Sequence, residues 1–278
     1  MQSFVDYLMA DNRTSGRFYD RHAASYDRRW RRYQRTTHDM LLTHLHGPFH
    51  QVLDVGCGTG TLLQRLTARY PETEGIGIDV SAKMLRQARR RLSGTDVRLY
   101  RADARWIPLP DHSVDLLTLT SALHYLPSPS IALIEARRVL KSGGTVGIVD
   151  YVPRAGAGSF LDGLIRLYDP GHVRCRGVQE LSGLTARAGF TIGYARQFEI
   201  DRIFAGVIII AQAPDPGPRS FERPPVLTTS ALSLVSGSCL NLSPEQPIGE
   251  DEVTSGRHHP NQPPDQPPRS PKSAAAAL

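Results

Sequence analysis

The sequence predicts an α/β fold built on a doubly wound, mostly parallel sheet. Short apolar patterns typical of buried strands alternate along the chain with patterns typical of helices, and this alternation favours a parallel sheet. Three of the strand patterns lead into an acidic residue, namely Asp54, Asp79 and Asp103. Ligands of such sheets bind beyond the carboxyl ends of the strands, so these three acids are candidate binding residues.

The first strand pattern, Val52–Val55, runs directly into a glycine-rich turn, Gly56–Gly60. A helix is expected after the turn because Leu62, Leu63 and Leu66 share one helical face. Glycine allows positive φ angles and close approach of a ligand to the backbone, so the turn is a candidate ligand cradle. A turn that needs glycine only for its own geometry is the alternative interpretation.

The second strand pattern, Gly75–Asp79, ends in an acid about 20 residues beyond the glycine turn. That spacing is typical of a carboxylate that binds ribose hydroxyls at the tip of the second strand. Ser81 is expected to cap the following helix, whose apolar face carries Met84 and Leu85.

Further strands are expected downstream, with a helix over Ile131–Leu140 and a turn at Lys141–Gly144 before the fifth strand. The remaining strand patterns are Val97–Asp103, Val114–Thr120, Thr145–Asp150, Gly189–Tyr194 and Ile203–Gln212.

In this order the motifs closely resemble the class I S-adenosylmethionine-dependent methyltransferases, in the small-molecule branch that includes quinone-biosynthesis enzymes. The resemblance covers residues 18–213 and rests on Val52–Gly60, Gly75–Ser81 with Met84, Ala102–Ala104, Leu123–Leu126 and Arg138–Gly144. It implies a Rossmann-like sheet of seven strands whose last strand is antiparallel. A nicotinamide-dependent dehydrogenase is the competing interpretation, but its G-x-G-x-x-G pattern places the third glycine one residue later than here.

The resemblance implies S-adenosylmethionine as the cofactor. Asp54 would then face the ammonium group, Asp79 the ribose hydroxyls and Asp103 the adenine amino group. The residues that the resemblance assigns to cofactor binding are Tyr26, Asp54, Gly56, Cys57, Gly58, Gly60, Asp79, Val80, Met84, Asp103, Ala104 and Thr120. For Met84, ordinary core filling is an open alternative, and for Cys57 we expect packing in the turn rather than nucleophilic attack.

His124 is the first candidate for a general base, because it follows the fourth strand where related enzymes face their substrate. The alternative is a histidine that caps the end of its own helical turn. His172, with Asp169 to orient it, is a second candidate, and a simple turn is the alternative there. We expect no metal site.

A small or lipophilic metabolite is the acceptor that the resemblance implies, but its identity and the acceptor atom stay open. Two functions are retained: an active methyltransferase, and a cofactor-binding pseudoenzyme or adaptor subunit that regulates another protein. Intact acids at all three strand ends favour the active enzyme.

The region before the first strand, residues 1–47, is strongly basic and contributes to a formal net charge of +6 and an isoelectric point near 9.4. Its arginines alternate with aromatic residues. We rank three interpretations in this order: an amphipathic helical segment with solvated arginines, peripheral contact with an anionic membrane or acidic substrate, and nucleic-acid contact. Nucleic acid ranks last because no recognition motif accompanies the arginines.

Composition divides the chain near Ala213. Residues 1–213 are expected to form the methyltransferase domain, whereas residues 214–278 are rich in proline and serine and are expected to be disordered. Three cysteines do not suggest a disulfide framework. No signal peptide is apparent and no apolar run approaches about 20 residues, so we expect a cytoplasmic protein.

Overall fold

The computed structural model describes residues 15–153, 163, 165–201 and 204–214. The expectations for residues 1–14 and for the segment from residue 215 onward lie outside these described residues.

Helices and strands alternate through most of the described chain. The helices are α1 (residues 15–22), α2 (Tyr26–Thr43), α3 (Thr61–Arg69), α4 (Ala82–Arg91), α5 (Pro129–Val139), α6 (residues 165–168) and α7 (Val178–Arg187), with a 3-10 turn at Leu123–Tyr125. The strands are β1 (Gln51–Val55), β2 (Glu74–Asp79), β3 (Val97–Arg101), β4 (Val114–Thr120), β5 (Leu140–Pro153), β6 (Thr191–Glu199) and β7 (Phe204–Gln212).

The strands form one sheet in the order β3-β2-β1-β4-β5-β7-β6. All neighbours from β3 to β5 are parallel, and β7 is antiparallel to both β5 and β6. This confirms the predicted fold class. The strand order reverses between β1 and β4, where Val55 is level with Leu119. An open sheet binds its ligands at such a reversal, beyond the carboxyl ends of the strands.

Two apolar layers cover the two faces of the sheet. On one face Leu53 and Val55 of β1 belong to a buried cluster that includes Leu133 of α5. On the other face Val52 packs in a second cluster with Leu41 of α2. Alternate residues of a strand point to opposite faces, so the continuous burial of Val52–Val55 shows that β1 is buried on both sides.

Two strand boundaries lie five residues from the predicted ones. β5 begins at Leu140, not Thr145, because Leu140 already pairs with Val114 before a register irregularity in the β4–β5 ladder. β6 extends to Glu199 through its pairing with β7, although most of its residues are exposed and carry no apolar pattern.

The basic segment ahead of β1 forms α1 and α2, with the arginines on the solvent side. Arg28, Arg31 and Arg32 are exposed, whereas Phe18 is buried and Tyr33 is half-buried. This arrangement agrees with the first interpretation, a helical segment that packs aromatic rings inward. Within the described ranges, no helix combines the length and the apolar character needed to cross a membrane.

Candidate active site

The glycine turn follows β1 at the strand-order reversal. Gly56, Gly58 and Gly60 all have positive φ, at 75°, 54° and 78°. A Cβ on Gly58 would meet nothing within 4 Å, so the backbone there is open to a ligand. A Cβ on Gly60 would lie 2.8 Å from Leu92 Cδ1, so Gly60 serves close packing between α3 and α4.

Asp79 fastens the end of β2 to this turn. Its Oδ2 accepts a hydrogen bond from Gly58 N at 2.8 Å, and its Oδ1 accepts one from Ser81 N at 2.8 Å. Each carboxylate oxygen has a second lone pair, so the group is able to accept two further hydrogen bonds from a ligand. Burial raises the pKa of Asp79 above its usual value, against the opposing effect of these hydrogen bonds.

A cavity of about 100 Å³, here called the turn cavity, lies beside Asp79. Among the predicted cofactor residues it is bordered by Tyr26, Gly56, Gly58, Asp79, Val80, Met84, Ala104 and Thr120. The hydroxyls of Ser15 and Thr120 are buried there without a hydrogen-bond partner among the described residues. Buried polar groups normally have partners, so these two hydroxyls fit a polar ligand in the cavity.

Asp54 and Cys57 border a smaller cavity of about 40 Å³, which adjoins the turn cavity at Gly56 and Gly58. Oδ1 of Asp54 accepts a hydrogen bond of 2.7 Å from Thr118 Oγ1. Burial raises the pKa of Asp54 to about 7, despite this hydrogen bond, which lowers it. Cys57 is buried against Gly77, and burial raises the pKa of its thiol, which agrees with the expected packing role.

Asp103 is oriented differently from the other two acids. Both of its carboxylate oxygens bond to the Arg105 guanidinium, with Nη2 to Oδ2 at 2.8 Å, and Oδ1 also accepts the Arg105 backbone N–H. Among the described residues, Ala102 and Ala104 border the turn cavity, but Asp103, which lies between them in the sequence, does not. The predicted adenine contact of Asp103 therefore stays a prediction.

A larger cavity of about 280 Å³, here called the aromatic cavity, lies between the amino-terminal helices and the ends of β4 and β5. Its aromatic border from α1 and α2 consists of Phe18, Tyr19, Tyr26, Trp30 and Tyr33. From the rest of the domain come Tyr125, Tyr151, Tyr168 and Phe204. Such a lining binds an apolar or planar ligand.

The three cavities meet at Tyr26 and Ser121, which border all of them. Ser121 directly follows β4 and has a φ of 56°, a left-handed conformation that is uncommon for a residue with a side chain. Its hydroxyl is hydrogen-bonded to Tyr33 at 2.6 Å. Strained residues of this kind concentrate at functional sites, and this one lies where the cavities join.

The helices α1 and α2 are attached across the strand ends by hydrogen bonds. Asp20 of α1 accepts bonds from Ser81 Oγ at 2.6 Å and from Lys83 N at 2.9 Å. Asp27 of α2 accepts one from Thr59 Oγ1 at 2.6 Å. The helices α1 and α2 of the basic segment therefore cover the site.

His124 is buried, at 2% exposure, and borders the aromatic cavity. Its Nδ1 lies 2.6 Å from Oδ1 of Asp150, and its Nε2 has no hydrogen-bond partner among the described residues. The alternative of a histidine that caps its own turn is therefore wrong, because the ring is bonded to β5 instead.

Asp169 was expected to orient His172, the second candidate base, but the two side chains bond to different tyrosines. Asp169 accepts hydrogen bonds from Tyr125 Oη at 2.6 Å and from Gly171 N at 3.0 Å, while His172 Nδ1 lies 3.3 Å from Tyr151 Oη. Asp169 borders the aromatic cavity, whereas His172 is not among the described residues that border this cavity.

Several site residues were missed from the sequence. They are Ser15, Tyr19, Ser121, Tyr125, Asp150 and Tyr151. For Asp150 a signal existed, because it ends the fifth strand pattern as Asp79 ends the second.

Comparison with known proteins identifies the central part of the chain. Residues 52–144 match the protein family described as a methyltransferase domain. Over these residues the chain is similar to methyltransferase domains. Its seven-stranded sheet, in which β7 is antiparallel, has the fold that the resemblance implied.

Curated relatives are similar to this chain over part of their length. A malonyl-[acyl-carrier protein] O-methyltransferase of Geobacter sulfurreducens is 38% identical over 140 residues, which are 49% of this chain and 52% of the relative. A ubiquinone/menaquinone biosynthesis C-methyltransferase of Desulfotalea psychrophila is 32% identical over 130 residues, 46% of this chain and 50% of the relative. The chain thus spans about half the length of these relatives.

Solved structures share the fold of this chain. A geranyl diphosphate C-methyltransferase from Streptomyces coelicolor, solved with geranyl diphosphate and S-adenosyl-L-homocysteine, superposes with a TM-score of 0.57 at 19% identity over 66% of this chain and 80% of that one. The YcgJ protein of Bacillus subtilis gives 0.55 at 21% identity over 66% and 99%. At these identities the similarity is one of fold.

Proposed function

We propose that this chain is an S-adenosylmethionine-dependent methyltransferase whose acceptor is a small, largely apolar molecule bound in the aromatic cavity. The observation that carries the proposal is that the turn cavity and the aromatic cavity share part of their lining. Tyr19, Tyr26, Ser121 and Tyr125 border both the turn cavity and the aromatic cavity. A methyl donor in one cavity would thus lie next to an acceptor in the other.

In this proposal the turn cavity holds the cofactor. Asp79 accepts the two ribose hydroxyls, Gly58 offers open backbone to the methionine part, and Asp54 faces the ammonium group. Met84, which is buried and borders the cavity, covers one face of the adenine. The unpartnered hydroxyls of Ser15 and Thr120 support a polar ligand at this place.

When bound, the cofactor supplies a sulfonium methyl group that moves to a nucleophile by in-line displacement. Charge on the sulfur is lost as the bond breaks, so the protein acts mainly by positioning the acceptor and excluding water. Ser121 and Tyr26, at the junction of the cavities, are the residues that set the approach of the acceptor in this proposal.

The alternative, a cofactor-binding adaptor without activity, is less well supported. A binding protein has no need of a formed second cavity, nor of a buried histidine held by Asp150 beside it. The names of the curated relatives, which are methyltransferases, also favour the enzyme.

The test is transfer of labelled methyl groups from S-adenosylmethionine to a panel of small phenols, amines and carboxylic acids. Ile165 borders the aromatic cavity from α6, so Ile165→Trp should fill it. We expect at least a tenfold loss of turnover with cofactor affinity unchanged.

Leu167 provides the matched control, since it lies on the same helix and is 83% exposed. Leu167→Trp should leave turnover unchanged. Failure of the wild-type protein to bind S-adenosylmethionine would contradict the proposed function. Equal turnover in Ile165→Trp and wild type would contradict the location of the acceptor.

A further inference from the structure

The backbone N–H and the ring Nδ1 of His124 both bond to the carboxylate of Asp150. Asp150 Oδ1 lies 2.6 Å from His124 Nδ1 and accepts Tyr151 N at 2.9 Å, while Oδ2 accepts His124 N at 3.0 Å. Asp150 is 3% exposed. Three bonds fix the carboxylate, and the carboxylate fixes the imidazole ring.

From this arrangement we assign the proton of the neutral ring to Nδ1 of His124. An ionised carboxylate only accepts hydrogen bonds, so Nδ1 of His124 is the donor and Nε2 keeps its lone pair in the neutral ring. That Nε2 is buried and has no partner among the described residues. Leaving a buried polar atom unpaired costs about 1–3 kcal/mol, so a group that offers it a proton is expected to bind there.

The surroundings of His124 define the kind of group that fits. Its ring centroid lies 4.1 Å from that of Tyr125 and 4.5 Å from that of Tyr151, and all three rings border the aromatic cavity. A planar ring is favoured in such a lining by edge-to-face and offset contacts. Arg29 and the carboxylate of Asp169 both border the cavity, so its charged groups do not favour one sign of charge on the acceptor.

We propose that the acceptor is a phenol, that is, an aromatic ring with a protonated hydroxyl group, and that His124 is the catalytic base that removes this proton. Asp150 is a positioning residue that holds His124 in the required tautomer. The inference rests on the proposed function and adds the substrate class. A carboxylic acid is already ionised near neutral pH and needs no base, so it would leave His124 without a task.

The phenolic O–H bond breaks, its proton binds Nε2 of His124, and its electron pair stays on oxygen. An electron pair of the phenolate then forms the bond to the methyl carbon as the carbon–sulfur bond breaks and its pair returns to sulfur. The imidazolium, stabilised by Asp150, releases its proton to water after product leaves.

The experiment compares substituted phenols of graded acidity, from 4-methoxyphenol to 4-nitrophenol, in single-turnover methyl transfer. His124→Gln should lose about 10²–10⁴-fold in rate with 4-methoxyphenol. It should lose much less with 4-nitrophenol, which is largely ionised at a slightly alkaline assay pH. Asp150→Asn should show the same trend with a smaller loss.

His172→Gln is the matched control. His172 is also buried and bonded to Tyr151, but it is not among the described residues that border the aromatic cavity. Any loss in this variant should be equal for all phenols. An equal loss across the series in His124→Gln would overturn the inference, because a structural role is blind to acceptor acidity.

A measurement on the wild-type protein does not depend on the folding of variants. When 4-nitrophenol binds, the absorbance of its phenolate should appear at lower pH in the complex than in free solution. Binding without that change would contradict proton transfer to His124.

The panel also distinguishes failure of the phenol inference from failure of the proposed function. If calorimetry shows S-adenosylmethionine binding but benzoate or benzylamine is methylated in preference to every phenol, or no phenol is methylated, the phenol inference is wrong and cofactor binding stands. If S-adenosylmethionine does not bind, the proposed function itself fails.

Discussion

Thr118 Oγ1 donates a hydrogen bond of 2.7 Å to Oδ1 of Asp54, and both side chains are buried between β1 and β4. One hydrogen bond does not compensate for the loss of water around a carboxylate, so burial raises the pKa of Asp54 to about 7. The domain therefore carries a buried acid that changes charge in the range where proteins are handled.

The free energy of unfolding should depend on the pH through Asp54. The unfolded chain releases this proton near a pKa of about 3.9, whereas the folded domain keeps it to about pH 7. Between these values the folded state binds more protons, so stability falls as the pH rises and the full cost is present above pH 7.

Asp54→Asn removes this cost, because an amide is neutral at every pH. We expect its stability gain over the wild type to be about 2 kcal/mol larger at pH 8 than at pH 5. Urea unfolding at both pH values measures the difference. A gain that is the same at pH 5 and pH 8 would show that Asp54 is ionised in the folded domain throughout.

The open backbone at Gly58 predicts a separation of stability from binding. Gly58→Ala should lower cofactor affinity at least tenfold, because the new methyl group would project into the space beside the turn cavity. Gly94→Ala is a close control, since Gly94 also has a positive φ, at 81°, and free space at its Cβ position. Both variants should lose about 1 kcal/mol of stability. Equal cofactor affinity in the two would argue against binding of the cofactor at the glycine turn.

The end of β7 defines where the chain should be shortened. Ala213 exchanges backbone hydrogen bonds with Gly143 and Gly144, and the Pro214 carbonyl accepts one from Arg137 at 2.7 Å. A chain that ends at Pro214 should therefore melt within a few degrees of the full chain and bind the cofactor equally. A chain that ends at Ile210 should be clearly less stable. A large fall in melting temperature for the first chain would show that later residues stabilise the domain.

The second-ranked interpretation of the basic segment, contact with an anionic membrane, would place the exposed arginines of α2 at the lipid surface. Replacing Arg28, Arg31 and Arg32 by Gln should abolish sedimentation with phosphatidylserine vesicles at low salt, because each arginine contributes about 1 kcal/mol near such a surface. Arg29 is kept, since it borders the aromatic cavity. The control replaces three exposed arginines of α4, namely Arg86, Arg89 and Arg90. Equal binding by both triple variants, or none by the wild type, would return α2 to a purely solvated role.

The parts of the site that were predictable from the sequence are local ones. Asp79 and the glycine turn were recognisable because a strand, a turn and a spacing of about 20 residues define them within one stretch of chain. The same reasoning placed Asp103 at a strand end but not its ion pair with Arg105, which depends on the conformation of the loop that follows.

The parts that were not predictable depend on tertiary packing. His124 and Asp150 are 26 residues apart and meet because Thr120 pairs with Val149 in the β4–β5 ladder. The aromatic residues of the basic segment were visible in the sequence, but the cavity they enclose exists only because α1 and α2 are attached across the strand ends. Neither relation has a periodicity or a motif that a single sequence displays.

The central claim is that the turn cavity binds S-adenosylmethionine through Asp79. Its direct test is calorimetric titration of the wild type and of Asp79→Ala with this cofactor. Loss of a carboxylate that accepts two hydroxyls should cost roughly 1.5–3 kcal/mol, which corresponds to a loss of affinity of at least tenfold.

Asp79 also fixes Gly58, so a second ligand separates contact from turn geometry. In the wild type, 2′-deoxy-S-adenosylhomocysteine should bind more weakly than S-adenosylhomocysteine, and in Asp79→Ala this difference should vanish. Affinity for S-adenosylmethionine that is unchanged in Asp79→Ala would contradict the account.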